Sequence, residues 1–166
     1  YPIDFCNVDK ELVVLFNNLF EDLFKIDGRI YLRQRPNRKV IWTFRKYSRK
    51  IADKLKALGF PEGVKRDVLR VLPIIKNGTK REQLLFFQGL LITDGCNKPQ
   101  RGIMFHLGSK LFLEDLANLM SNFIDTTKPV KEFIQKEKYK SYQLYLNKKE
   151  KDILLAQMPL WHNGTA

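Results

Sequence analysis

Two aspartates, each followed directly by a glycine, are the residues whose type and position point to chemistry. Asp94-Gly95 closes an apolar run that starts after Thr79, and Thr79 and Glu82 have the spacing of a helix-capping box. Asp94 would therefore stand at the carboxyl end of a helix, where the helix dipole disfavours negative charge. An acid in that place favours a bound cation or a catalytic role. An Asp-Gly pair is also a common turn sequence, so a purely structural interpretation stays open.

A second copy of this pattern lies earlier in the chain. The segment 20–28 reads FEDLFKIDG and ends in Asp27-Gly28, and the segment 87–95 reads FQGLLITDG and ends in Asp94-Gly95. After each copy, the sequence predicts basic strands and then a helix. We therefore predict an internal repeat with two halves, residues 1–78 and residues 79–166.

The strands that follow Asp27 predict a surface for a polyanion. Two strands at 29–35 and 39–45 flank a turn at Pro36-Asn37, and between Arg29 and Lys50 there are nine basic residues and no acid. A solvated face normally mixes both signs of charge, whereas a basic β-ribbon fits the major groove of DNA. The candidate nucleic-acid contacts of this half are Arg29, Tyr31, Arg33, Arg35, Lys39, Thr43 and Arg45.

The second half predicts a similar surface. A strand runs to Leu107, and a hairpin at 129–136 and 139–147 turns Tyr142, Leu144 and Leu146 toward the core. Helices are predicted at 109–123 and 149–158. The candidate nucleic-acid contacts of this half are His106, Lys131, Gln135, Lys138, Lys140, Gln143 and Tyr145.

The composition agrees with a nucleic-acid partner. The 166 residues contain 30 Lys and Arg against 18 Asp and Glu, a net charge of +12, and 44% hydrophobic residues provide for a buried core. Cys6 and Cys96 form no framework of spaced cysteines, which indicates a reducing compartment. Neither a membrane span nor a signal peptide is evident, so we expect an intracellular protein of the cytoplasm, nucleoid or organelle matrix, neither secreted nor membrane-bound.

Both copies resemble the LAGLIDADG motif of homing endonucleases. The later copy matches it in the glycine at the third position, the apolar middle and the closing Asp-Gly; the first copy departs from it at Asp22, where the later copy has Gly89. The resemblance extends from about Leu12 to Met158. It implies an α/β fold of the α+β type: two pseudo-symmetric αββα-type halves, an antiparallel β saddle for DNA and paired central motif helices. It also implies a monomer with an internal pseudo-two-fold axis.

The resemblance further implies a chemistry. The chain would be a site-specific double-stranded DNA endonuclease, associated with an intron or intein, that hydrolyses phosphodiesters. Asp27 and Asp94 would be its catalytic residues and metal ligands, with Mg²⁺ or Mn²⁺ as cofactor, since hard cations prefer carboxylate oxygens. Lys46 and Lys98, near the strand ends, are further catalytic candidates. Two alternatives stay open: a DNA-binding relic without catalysis, and a maturase with intron RNA as its partner.

Overall fold

The α+β class is confirmed by the architecture. The computed structural model describes residues 1–34, 39–63, 68–98, 100–125, 129–135 and 139–158. These residues contain six helices and two antiparallel sheets. None of the helices in these ranges has the length and apolar character needed to cross a membrane. The chain divides into two compact units, Tyr1–Ala57 and Leu58–Ala166, whereas the sequence placed the boundary after residue 78.

The first unit is a three-stranded sheet with two helices. In chain order its elements are β1 (Pro2–Asn7), α1 (Lys10–Phe24), β2 (Arg29–Arg33), β3 (Ile41–Tyr47) and α2 (Arg49–Ala57). The strand order in this first sheet is β1-β3-β2, with both pairs antiparallel. The first motif helix corresponds to α1, the two predicted strands to β2 and β3, and the helix predicted after them to α2. The predicted turn at Pro36-Asn37 lies outside the described residues.

The strand β1 is an element that the sequence analysis did not predict. It pairs with the second edge of β3, so the expected two-stranded ribbon is a three-stranded sheet with β3 at its centre. The pattern of β1 is short, and its partner lies about forty residues further along the chain. Its pairing with β3 therefore becomes evident only in the tertiary structure.

The core of the first unit lies between α1 and the inner face of its sheet. Asp9 caps α1 by accepting a hydrogen bond from the Glu11 amide at 2.9 Å. Phe44 of β3 is fully buried, and its ring centroid lies 5.1 Å from that of Phe16 and 4.9 Å from that of Phe20. Because each aromatic side chain buries a large apolar area, these three rings contribute much of the core of this small unit.

The second unit is a four-stranded sheet with four helices. The strand order in this second sheet is β4-β5-β7-β6, again antiparallel throughout. Its elements are α3 (Pro73–Lys76), α4 (Lys80–Asp94), β4 (Gly95–Lys98), β5 (Gly102–Leu107), α5 (Lys110–Met120), β6 (Lys131–Gln135), β7 (Tyr139–Asn147) and α6 (Lys148–Gln157).

The predicted capping box of α4 and the predicted core face of β7 are both confirmed. The Glu82 amide donates to Thr79 Oγ1 at 3.3 Å, and the Thr79 amide donates to Glu82 Oε2 at 2.7 Å. The α4 residues Phe87 and Leu91 belong to the same buried cluster as the inward-facing residues of the sheet. Those inward-facing residues are Ile103, Phe105, Tyr142, Leu144 and Leu146.

A buried carboxylate holds the segment that precedes α4 onto the second unit. Asp115 of α5 accepts hydrogen bonds from Arg70 at 3.1 Å and from the Val71 amide at 3.2 Å, and it lies 2.8 Å from the ammonium group of Lys76. Val71 is itself buried in the core of this unit. Since a buried charge is tolerated only when it is paired and hydrogen-bonded, these contacts explain why the unit begins before α4.

The glycines after both aspartates are required by close packing inside their own units. A Cβ atom at Gly28 would lie 2.1 Å from the Phe44 ring, and one at Gly95 would lie 2.6 Å from the backbone oxygen of Leu91. Gly95 has φ −81° and ψ 134°, so it does not adopt the left-handed conformation that is common for a glycine directly after a helix. Its lack of a side chain serves the close approach rather than a special dihedral angle.

We predict that Gly95→Ala destabilises the protein by about 1–3 kcal/mol, because the added methyl group would collide with Leu91. Gly89→Ala is the matched control in the same helix, since a Cβ atom there would have no heavy atom of the described residues within 4 Å. The control should be neutral or stabilising, because glycine is a poor helix residue. Thermal unfolding measures both, and equal melting temperatures for the two variants would contradict the packing argument.

Candidate nucleic-acid interface and acidic residues

Asp94 is the last residue of α4, as the motif predicts, and its side chain is exposed. The Thr93 hydroxyl lies 3.0 Å from Asp94 Oδ2 and 3.1 Å from the Gly89 carbonyl oxygen, so it is placed to donate to either. No basic residue occupies the last turn of α4. The carboxylate thus stands at the negative end of a helix dipole, which is an arrangement that a bound cation would stabilise.

Asp27 has a different local position. Helix α1 ends at Phe24, and Lys25 follows it in the left-handed conformation with φ 57°. Asp27 is exposed in the extended segment between α1 and β2. The next amide, that of Gly28, donates to Asn17 Oδ1 at 3.0 Å, which ties this segment back to α1. The two aspartates therefore share a sequence pattern but not a helix-terminal position.

The oxygen donors of Asp94 and of Asp27 suit a hard divalent cation, but each aspartate by itself provides only some of the ligands that such an ion needs. Within the described part of the chain, no group of three or more His, Cys, Asp and Glu side chains is gathered as a metal site. Asp94 and Asp27 would each supply carboxylate oxygens. The other ligands would have to come from water, backbone oxygens or the phosphates of a bound substrate.

The two lysines predicted near the acids are placed differently. Lys46 is two residues after Phe44 in β3 and lies opposite Ile3 of β1. It is therefore on the same face as Phe44, the face toward α1, and its side chain is half-buried. Lys98 is the last residue of β4 and pairs with Gly102, while its side chain lies outside the described part of the structure. Their catalytic roles stay predictions.

The outer face of the first sheet, which we name the arginine face, carries most of the predicted DNA contacts of this unit. Cross-strand pairing aligns Arg29 with Arg45, and it aligns Tyr31 with Thr43. Arg33 lies opposite Ile41 at the other end of β2. The residues of the face are Asp4, Cys6, Arg29, Tyr31, Arg33, Ile41, Thr43, Arg45 and Tyr47.

Arg45 is held in one orientation on this face. Its Nε donates to Asp4 Oδ1 at 2.7 Å, and its Nη2 donates to Asp4 Oδ2 at 2.6 Å. The rings of Tyr31 and Tyr47 lie with their centroids 5.9 Å from the guanidinium carbon. The hydrogen bonds from Arg45 hold the pKa of the Asp4 carboxyl below its usual range, and the same pairing raises the pKa of Arg45.

Three predicted DNA contacts of the first unit are not confirmed as exposed residues of the arginine face. Thr43 is fully buried, contrary to the expectation that its side chain is available to DNA. It lies in the central strand between Cys6 and Tyr31, and its hydroxyl lies 3.5 Å from Cys6 Sγ. Lys39 is exposed but precedes β3. Arg35 lies outside the described residues.

The outer face of the second sheet, which we name the His-Gln-Lys face, carries a polar row across three strands. His106 of β5 pairs with Gln143 of β7, which pairs with Lys131 of β6. The ring of Phe133 lies 6.4 Å from that of His106, edge to face. Tyr145 is also on this face and donates its hydroxyl hydrogen to the Arg101 carbonyl oxygen.

Lys140 lies apart from the outer-face residues with which the sequence analysis grouped it. In β7 it has the same alternation as Tyr142 and Leu144, which face the core. Its ammonium group forms an ion pair with Glu132 at 3.1 Å. Of the remaining candidates, Lys138 lies outside the described residues, as does the side chain of Gln135.

Sequence reasoning missed Asp4 and Tyr47 of the arginine face. Asp4 belongs to β1, the strand that was not predicted, and Tyr47 is the last residue of β3, beyond the predicted strand end. The alternation of Ile3 and Phe5 with Asp4 and Cys6 is a period-2 signal that was present in the sequence. It is only a few residues long, which is why it did not stand out.

Comparison with known proteins agrees with this geometry. Residues 81–158 match the family model of the LAGLIDADG-like domain. A solved structure of mesophilic variants of the homing endonuclease I-DmoI matches with a TM-score of 0.68 at 15% identity, covering 98% of this chain and 82% of that one. Compared with curated proteins, the sequence matches none of them.

Two solved complexes are also similar to the chain. A single-substitution variant of I-DmoI in complex with its target DNA in the presence of Mg matches with a TM-score of 0.69 at 14% identity, covering 98% of this chain and 82% of that one. I-WcaI bound to its DNA recognition sequence matches with a TM-score of 0.57 at 16% identity, covering 93% of this chain and 68% of that one.

The matched segment starts in the first turn of α4 and ends after α6, so it contains Asp94, the second sheet and the His-Gln-Lys face. Because these identities are low, the structural matches show the fold of the chain and nothing further. Residues 81–158 are therefore a LAGLIDADG-like domain, and the chain has the fold of the LAGLIDADG homing endonucleases.

Proposed function

We propose that this protein is a site-specific double-stranded DNA endonuclease that depends on a divalent metal, Mg²⁺ or Mn²⁺, and is associated with an intron or intein. The observation that carries the proposal lies within the second unit. There the motif helix α4 ends in the exposed carboxylate of Asp94, and the same LAGLIDADG-like domain presents the His-Gln-Lys face. Similar structures contain target DNA and divalent metal ions.

The two outer faces support duplex DNA as the substrate. Arginine side chains grip phosphates and guanine edges, and a glutamine such as Gln143 pairs with adenine. The arginine face carries Arg29 and Arg33 as cations, in addition to the Asp4-bound Arg45. With a net charge of +12, the chain is attracted to the phosphate backbone irrespective of sequence, while the side chains on the faces provide base contacts.

The acids support phosphodiester hydrolysis. Asp94 and Asp27 would each act as a metal ligand, and a bound Mg²⁺ or Mn²⁺ would supply charge stabilisation to the attacking and leaving oxygens of the phosphodiester. Thr93 would orient the Asp94 carboxylate through its hydroxyl group. Asn17 would hold the backbone that follows Asp27.

A DNA-binding protein without catalysis is the second candidate. One observation favours it: Asp27 does not stand at the end of its helix as Asp94 does, because α1 ends three residues earlier. In that case both faces would still bind duplex DNA. A maturase with intron RNA as its partner would keep the same basic surfaces, and the binding experiment below separates it from the DNA-binding proposals.

We predict that duplex affinity falls steeply with salt, and that the double variant Arg29→Ala and Arg33→Ala binds more weakly. Each lost phosphate contact should reduce the slope of log affinity against log salt by about 0.9. Fluorescence anisotropy with a labelled target duplex over a salt series measures both quantities.

The matched control for this double variant is Lys50→Ala with Lys54→Ala, which removes two exposed cations from α2 in the same unit. It should alter affinity less than the variant of the arginine face. Equal losses would mean that only net charge matters, and tighter binding to folded RNA than to any duplex would favour the maturase.

We predict that Asp94→Asn keeps the melting temperature and the duplex affinity but loses strand cleavage by about 100-fold or more. The asparagine oxygen can still accept from Thr93, and removing the charge relieves an unfavourable contact with the helix dipole. Cleavage of targets selected from a randomised duplex library, with Mg²⁺ or Mn²⁺ present, measures the effect.

Asp152→Asn, which removes an exposed carboxylate from α6 of the same unit, serves as the control and should cleave like the wild type. Asp27→Asn should lose cleavage of both strands or of one strand. Should the wild type bind duplex DNA and cut no sequence in the library, the protein is the binding relic rather than the nuclease.

A further inference from the structure

Asp4 and Arg45 form a side-on ion pair on the arginine face. The carboxylate of Asp4 accepts from both Nε and Nη2 of Arg45, at 2.7 and 2.6 Å. This pair joins β1 to β3, which are directly opposite at this point of the sheet. Each of the two side chains is about 30% exposed, so the pair is open to a ligand that lies on this face.

The contact with Asp4 leaves one edge of the guanidinium group available. A guanidinium has five N–H donors, and Asp4 occupies the Nε donor and one donor of Nη2. The edge formed by Nη1 and the other donor of Nη2 retains the fork geometry that matches O6 and N7 of guanine. Asp4 therefore leaves free an edge of Arg45 that can contact a base.

Neighbouring side chains restrict the same arginine from other directions. Tyr31 of β2 and Tyr47 of β3 each have their ring centroid 5.9 Å from its guanidinium carbon. Arg29 is the direct cross-strand partner of Arg45, and two like charges side by side would repel each other without the carboxylate of Asp4. An arginine held in this way loses little side-chain freedom on binding.

We propose that Asp4 is a positioning residue that sets base specificity, by holding Arg45 with its free edge toward a guanine in the major groove. The inference rests on the proposed function, because its ligand is duplex DNA. It goes beyond the binding role of Arg45 itself, since Asp4 is an acid that would not approach a phosphate backbone. Without Asp4, Arg45 would have one anion fewer to bind and would turn toward phosphates.

A binding selection with a randomised duplex library, without divalent metal, tests the proposal on the full chain. Sequencing of the bound duplexes gives the preference for each base at each position. The wild type should prefer guanine at one position, and Arg45→Ala should abolish that preference. Asp4→Asn should lower the guanine preference at the same position by about tenfold, since one good bidentate contact is worth about that factor or more.

Asp4→Asn should also raise affinity for unrelated duplexes, because it removes a negative charge from the face. Asp53→Asn, which makes the same charge change at an exposed position of α2, is the control and should keep the wild-type base profile. Asp4→Glu keeps the carboxylate and should retain more of the guanine preference than Asp4→Asn.

A structural ion pair alone would give a different result. Asp4→Asn would then lower the melting temperature and weaken binding equally at every position, and this outcome would overturn the proposal. An unchanged guanine preference in Asp4→Asn would overturn it as well. If the wild type binds no duplex, the proposed function fails together with the inference, whereas specific binding without cleavage leaves the inference intact.

Discussion

The burial of one face of each antiparallel sheet is the constraint on which the rest of the structure depends. In the first unit, Phe44 is enclosed by Phe16 and Phe20 of α1, and in the second unit Leu144 shares a core with Phe87 of α4. Since successive side chains of a strand point to opposite faces, every inward residue forces its neighbours outward. The arginine face and the His-Gln-Lys face are the consequence of these two cores.

The turns after the two motif helices obey the same packing constraint. Gly28 leaves room for the Phe44 ring, and Gly95 leaves room for Leu91. The aspartate before each glycine is exposed at the edge of a packed core. Such packing fixes the backbone beside an exposed carboxylate, as the proposed metal ligation would require.

The start of α4 and the core face of β7 could be predicted from the sequence, because both depend on local patterns. Thr79 and Glu82 marked the start of α4 through local hydrogen bonds, and the inward residues of β7 followed from strict alternation. The prediction was less successful where a third strand intervened. Thr43 has the alternation of an outward residue, yet it is buried in the central strand beside Cys6.

Other positions depended on contacts between distant parts of the chain. Lys140 was grouped with DNA contacts by its charge, but its strand register turns it toward the inner face and Glu132. Arg70 and Lys76 precede α4, yet they are fixed to the second unit because Asp115 of α5 binds both of them. Arg70 and Asp115 are 45 positions apart in the sequence, and no local pattern encodes such a pairing.

The sequence by itself determined the α+β class, the capping box of α4, the end of that helix at Asp94 and the basic character of the surface. Each of these follows from residue types within a few positions of one another, where period and capping chemistry act. Only the tertiary structure decided that β1 completes the first sheet, and that Asp4 therefore meets Arg45. The physical reason is that strand pairing uses backbone groups common to all residues, so the partner of a short strand is selected by the packing of the whole unit.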